Sequence, residues 1–318
     1  MMGRMRSQSR QPALAAWIAL IAVYFLWGST YIGIRYAVES IPPFLMAGSR
    51  YLSAGLILLA VLFVVRRSLP PVTKKQVLST AVAGGSLLLG GNGLLSFGEK
   101  HLQSGVAALL VATVPLIMIV ESAAVGRRGI ARRSLLAIVL GTAGVVILVG
   151  TPGSVIDYTS AAVVFVGAFF WATGSVYLTN ADMPDNPILG TALEMTFGGA
   201  MVLIVGLASG ELGSLHFGSI TTTSTLGWLW LVGPGSLLGF TAYTYALKTL
   251  PTATVATYAY VNPVVAVILG AALGDQPLSL GLLVGGAAVI SAVVVTLAAR
   301  RTPIQESVAP KDALAEIA

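Results

Sequence analysis

Two ionisable side chains interrupt long apolar runs, Arg50 within residues 43–65 and Glu194 within residues 188–209. A charge at such a position costs on the order of 3 kcal/mol in a bilayer, so each calls for a partner, a wet cavity or a path along which the chain snorkels to the headgroups. A buried guanidinium suits a carboxylate, and a buried carboxylate suits a cation or a proton. Glu121 lies close to Arg127 and Arg128 and reads as a structural or gating contact at the end of its segment. Glu99, Lys100 and His101 read as a solvated outer loop.

The uncharged candidates come in matched sets. Trp27 is followed by Ser29 and Thr30, and Trp171 by Thr173, in each case indole beside hydroxyl. Both indoles fall inside apolar runs and not at their ends, where tryptophan usually sits. Such a pair lines a path or packs helices together. Trp228 and Trp230 read as interfacial anchors. Pro115 and Pro263 lie inside apolar runs, where proline removes one hydrogen bond and kinks the helix. The freed carbonyls then need partners or a water-filled cavity. Asn262, Tyr258 and Tyr260 gather polar and aromatic groups beside the second proline, either for a solute or for an interhelical contact. Asn92 sits in the glycine-rich stretch Gly90 to Gly93, which permits close helix approach.

Several chemistries are excluded by what the chain lacks. There is no cysteine, hence no thiol nucleophile and no cysteine-held zinc. The two histidines, His101 and His216, belong to no HExxH pattern, and no GxxxxGK[ST] phosphate loop occurs. Asp275 lies in a short loop, so no pair of facing intramembrane carboxylates suggests a protease. Neither an enzyme nor a metal or cofactor site is expected.

The elements that must position these residues follow from composition. Of 318 residues 56% are hydrophobic and 9% charged, which describes a polytopic membrane protein. Ten apolar segments are read at roughly 14–34, 43–65, 77–98, 103–124, 134–150, 158–179, 188–209, 225–247, 252–272 and 280–299, each near the ~20 residues that cross the hydrocarbon core. The first is too long for a signal-peptide core and is read as retained. Alternate loops collect nearly every cation on one side, from Arg4, Arg6 and Arg10 through Arg66, Arg67, Lys74 and Lys75 to Arg300 and Arg301; Arg35, Arg50 and Lys100 fall elsewhere. The net charge of +6 thus reports orientation, not nucleic-acid binding. Both termini are expected in the cytoplasm.

The chain also repeats itself. LQSGVAALLVATVP, ending at Pro115, returns as LPTATVATYAYVNP, ending at Pro263, and Lys100 and Lys248 each stand fifteen residues before their proline. Trp27 matches Trp171, Arg50 matches Glu194, and Gly141 with Val145 matches Gly285 with Val289, all at an offset of 144; a longer loop near 210–224 explains the offset of 148 in the centre. If each copy holds five spans, the second enters the membrane from the opposite side. Inverted repeats of this kind recur in secondary transporters, because two related packings expose one central site to either side in turn. Inversion also means that Arg50 and Glu194 need not pair.

At this point the residues resemble a known family. The aromatic-WGST stretch from Tyr24 to Thr30 with its echo at Phe169 to Thr173, the matched prolines, Glu121, and the closing GTAGVVIL and GGAAVISA are together similar to the EamA branch of the drug/metabolite transporter superfamily, over about residues 14–299. The resemblance implies a ten-helix basket with a central cavity and, among its members, exporters of amino acids and related metabolites. The small multidrug pumps of that superfamily rely on a carboxylate in the first span, which this chain lacks; Glu194 is the candidate replacement.

The expected protein is therefore an all-α polytopic membrane protein of ten transmembrane helices, two inverted five-helix repeats around a central cavity. Its tails are residues 1–13 and 300–318, its repeats 14–150 and 151–299. It is expected in the inner membrane, exporting amino acids or similar metabolites by alternating access. The residues expected to bind solute are Trp27, Ser29, Asn92, Trp171, Thr173, Tyr258, Tyr260 and Asn262, with hinges at Pro115 and Pro263 and coupling at Arg50 or Glu194. Lipid and a small solute are the expected partners. Export of nucleobases or other neutral metabolites or drugs, and a receptor or scaffold that transports nothing, are the alternatives.

Overall fold

The structure is a computed structural model that describes residues 11–126, 130, 132–150, 157–250, 255 and 257–299. The tails before 11 and after 299, Arg127 and Arg128, and the side chains of Lys248 and Tyr260 lie outside the described residues. Everything described is helical or loop. In chain order the helices are α1 (Gln11–Gly28), α2 (Thr30–Ala37), α3 (Pro43–Arg66), α4 (Lys74–Gly84), α5 (Leu94–Glu99), α6 (Ser104–Val111), α7 (Val114–Val125), α8 (Arg132–Gly150), α9 (Tyr158–Leu178), α10 (Pro187–Ala208), α11 (Glu211–Ser214), α12 (Thr222–Trp230), α13 (Gly239–Thr249), α14 (Tyr258–Ala272) and α15 (Leu280–Ala299). Among the described residues six helical runs are long and apolar enough to cross a membrane, and three shorter apolar helices, Ser134–Ile147, Val261–Ala272 and Leu280–Val295, stand beside them.

Polar residues at the ends of these apolar helices stop them and satisfy their free backbone groups. Thr73 and Gln76 form a reciprocal cap on α4, and the Asn186 carboxamide accepts from the amides of Ile188 and Leu189 at the start of α10. Asp157 caps α9 by accepting from the Thr159 and Ser160 amides and the Ser160 hydroxyl, and that hydroxyl foremost holds its carboxyl below the ordinary range. The α3 cap comes from another part of the chain. Glu211 accepts from the Phe44 amide at 3.2 Å and the Leu45 amide at 2.8 Å, setting a carboxylate on a helix N-terminus. Glu211→Ala should lower unfolding stability by about 1–2 kcal/mol, read as a fall in the thermal midpoint of the purified protein in detergent.

Packing makes the internal repeat visible in space. Helices α3 and α10 cross antiparallel through glycine. A Cβ on Gly48 would meet the Leu203 amide nitrogen at 2.5 Å, one on Gly199 would meet Leu52 at 2.4 Å, and one on Gly55 would meet Thr196 at 2.5 Å. As the position on α3 rises from 48 to 52 to 55, its partner falls from 203 to 199 to 196. Shifting Leu52 by 144 gives Thr196, and shifting Gly199 back by 144 gives Gly55, so one contact is carried onto the other. Helices α8 and α15 behave alike, with Gly141 against Ala292 and Gly144 against Val289. Two antiparallel helices that exchange in this way are related by an axis perpendicular to both.

Besides the short 3-10 turn Phe217–Ser219, two segments depart from α geometry, and they match. Gly85–Gly93, between α4 and α5, and Leu231–Leu238, between α12 and α13, are π-helical. In the second the cause is Pro234, which lacks an amide proton and displaces the preceding turn; the Gly239 amide bonds back to its carbonyl, five residues earlier. In the first, Gly90 and Gly91 yield to the rings of Phe170 and Trp171. The stretch Gly90 to Gly93, read from sequence as a packing glycine tract, thus both packs and widens its helix. Trp228 and Trp230, expected as interfacial anchors, are half-buried and hydrogen-bonded to neighbouring helices. Their indole nitrogens donate to Ser49 and Ser29, each at 3.0 Å, tying α12 to α3 and to the junction of α1 and α2.

Candidate functional site

The helices enclose a cavity of about 400 Å³. Of the residues singled out from sequence, Trp27, Asn92, Pro115, Trp171, Tyr258, Asn262, Pro263 and Arg50 line it. Ser29 and Thr173 do not, and in both the hydroxyl is committed elsewhere. The Ser29 oxygen donates to the Leu26 carbonyl and accepts from Trp230. Thr173 donates to Glu121 at 2.7 Å and to the Phe169 carbonyl, turning toward α7. Glu194 is also outside the wall. The antiparallel register of α3 and α10 sets it seven residues from the position opposite Arg50, about 10 Å along the helix.

Arg50 is 4% exposed and reaches the cavity from α3. Its Nε donates to the Ser236 hydroxyl at 3.2 Å, and its guanidinium lies 4.5 Å from the centre of the Tyr51 ring. Among the described residues no carboxylate forms an ion pair with it. Ser236 belongs to the second π-helical segment, as does Gly235, whose carbonyl accepts from Trp27 Nε1 at 3.2 Å. One irregular turn therefore positions both the cation and the indole. The first π-helical segment carries Asn92 into the wall and seats Trp171 on Gly91. Gly91 and Gly235 stand 144 residues apart, so each repeat places a tryptophan against the irregular turn of the other.

Aromatic rings close one side. Trp27 lies 4.9 Å from Tyr243, 5.1 Å edge-on from Tyr258 and 5.2 Å from Phe240, and Tyr243 meets Tyr258 edge-on at 5.7 Å. Ring faces grouped in this way attract a cation by about 0.5–2 kcal/mol. With its amide turned so that the nitrogen faces them, the Asn262 carboxamide donates to the carbonyls of Tyr24 and Tyr258 at 3.3 and 3.2 Å, the orientation that satisfies both and ties α14 to α1. Only one of the two prolines lies at a helix break. Pro115 follows the turn at Ala112 and Thr113 that separates α6 from α7, and Pro263 stands within α14 one residue beyond Asn262. Tyr31, Tyr51, Phe240, Tyr243 and Met118 also line the cavity and went unnamed in the sequence reading. The available signal was the pair of glycine-rich tracts GGNG and GPGS at matched places.

The end of the bundle remote from Gln11 is tied by polar contacts. Arg35 Nε donates to Asp275 at 3.1 Å and its Nη1 to the Lys100 carbonyl at 3.1 Å. The other Asp275 oxygen accepts from the amide and hydroxyl of Ser104, both at 2.8 Å. The Gln276 side chain accepts from the Gly105 amide. Glu99 was expected in a solvated loop with Lys100 and His101; instead the helix continues through it and it is 0% exposed, while Lys100 and His101 are exposed.

The comparisons agree with this architecture. The uncharacterized inner membrane transporter YedA of Escherichia coli K12 is 39% identical over 297 residues, covering 92% of this chain and 94% of its own. Protein PecM of Dickeya dadantii is 27% identical, covering 85% and 88%, and the uncharacterized transporter YetK of Bacillus subtilis is 23% identical, covering 91% and 89%. A crystal structure at 17% identity superposes with a TM-score of 0.60 over 91% of this chain and 98% of the other, a likeness of fold alone. The EamA-like transporter family matches residues 14–150 and again residues 159–298. The chain carries that domain twice and belongs to the EamA-like transporter family.

Proposed function

We propose that this transporter exports amino acids or closely similar zwitterionic metabolites by alternating access. The observation that carries the reading is Arg50, a buried guanidinium that faces the cavity and, among the described residues, has a serine hydroxyl and a tyrosine ring as its contacts and no ion-pair partner. A carboxylate from a solute would complete it. The box of Trp27, Tyr243 and Tyr258 offers π faces to an ammonium, and the remaining apolar wall accepts varied side chains. On this reading ten helices cross the membrane as two inverted five-helix repeats, and both termini are cytoplasmic, which the cation-rich loops support. Reconstituted protein should show saturable flux of labelled amino acids that unlabelled amino acids compete and nucleobases do not. Competition by nucleobases alone would replace the substrate class, and no flux of either would favour a receptor.

Pro115 and Pro263 act as the hinges in this account. Pro115→Ala or Pro263→Ala restores a backbone donor and straightens the turn, so turnover should fall about tenfold with solute affinity little changed. Comparing binding with flux for each variant checks this; unchanged turnover in both would remove the hinges.

A further inference from the structure

Glu99 ends α5 at the tied end of the bundle, fully buried, and neither of its carboxyl oxygens has a hydrogen-bond partner. Ser96, three residues earlier on the same helix face, is 1% exposed and its hydroxyl oxygen is also unpartnered. The charged and titratable groups around Glu99 are Tyr31 and Arg35 from α2, Arg50 from α3 and Asp275 from the loop before α15. The two cations are engaged elsewhere. Arg35 bonds Asp275 and main-chain carbonyls of Glu99 and Lys100, and Arg50 bonds Ser236. An ionised carboxylate buried without donors is strongly disfavoured, whereas the acid form can donate to a neighbouring oxygen. Leu95, one turn back from Glu99, and Tyr31 both line the cavity, so this carboxyl stands directly beyond the cavity wall.

We propose that Glu99 is a proton-binding site of the gate formed by Arg35, Asp275, Ser104 and Gln276. Its carboxylate takes up one proton from water as that end closes, and returns it to water when the Arg35–Asp275 pair parts and the end opens. Closure therefore binds a proton. Acid on that side holds the gate shut, and opening grows as pH rises, by at most about tenfold per pH unit for one proton. The inference rests on the alternating-access reading and needs no knowledge of the substrate.

The chain contains no cysteine, so Ala108→Cys supplies a single thiol in the cavity wall. Its labelling by a membrane-impermeant maleimide, applied from the gate side and corrected for the reagent's own pH dependence, reports opening. In this background labelling should rise at least fivefold from roughly pH 5 to about pH 8. Glu99→Gln, which keeps the neutral form at every pH, should label slowly and flatly throughout. Arg35→Gln, which removes the pair, should label faster at all pH values, showing that the reporter works in folded protein, and Asp182→Asn, at the other end, should keep the parent profile. A parent-like pH profile in Glu99→Gln would overturn the proposal. So would labelling that follows sodium concentration and not pH, which would assign the three oxygens to a metal cation. Slow, flat labelling in every variant including Arg35→Gln would overturn the gate itself, whereas a wrong substrate class would leave these results unchanged.

Discussion

Arg50→Gln should weaken amino-acid transport more than any other single change in the cavity. The glutamine keeps length and a hydrogen-bond donor but loses the charge, so the solute carboxylate enters a buried site without its counter-ion. The expected cost is about 2–3 kcal/mol, roughly 30- to 150-fold in the concentration that gives half-maximal flux. Arg50→Lys should recover only part of this. Its ammonium retains the charge but lacks the fork that grips Ser236 while presenting a second face to the cavity. Initial rates across a concentration series in proteoliposomes measure both. An unchanged half-saturating concentration in Arg50→Gln would return Arg50 to a structural role.

Gly199→Ala should produce the largest loss of stability. Its new methyl group would lie 2.4 Å from the Leu52 amide nitrogen, a backbone atom that cannot rotate away. Helices α3 and α10 would have to separate, and overpacking of that kind costs about 1–3 kcal/mol. Gly213→Ala, with nothing within 4 Å, is the matched control and should be neutral. Thermal unfolding in detergent distinguishes them. Because α3 carries Arg50, Gly199→Ala should also reduce flux, while equal midpoints for the two variants would show that this crossing is not a tight constraint.

These two residues show how unevenly the site is written into the sequence. The apolar segments and the offset of 144 were legible because hydrophobic runs and matched landmarks are local properties of the string. The same offset then maps one α3–α10 contact onto another. Arg50 stood out because charge is rare in an apolar run. Glu99 did not, since Glu-Lys-His reads as a wet loop when nothing marks where the helix stops; the helix runs one residue past the apolar segment, and its last residue is a buried acid beside exposed neighbours. Ser29 and Thr173 misled for a related reason. A hydroxyl inside a helix can bond a carbonyl three or four residues back, and both do, which sequence spacing alone does not reveal. The π-helical segments had a visible cause in Pro234 and the glycines, but their consequence, holding Arg50 and Trp27 from one turn, depends on contacts between distant parts of the chain.

The most direct measurement compares an amino acid with its carboxamide, which keeps the ammonium and side chain but lacks the negative charge. Each would compete for flux of the labelled amino acid in proteoliposomes bearing the parent protein or Arg50→Gln. The account predicts that the amide competes at least about tenfold less well in the parent, and that the two converge in Arg50→Gln. Equal competition by acid and amide in the parent would contradict it, since the buried guanidinium would then not be reading the solute carboxylate.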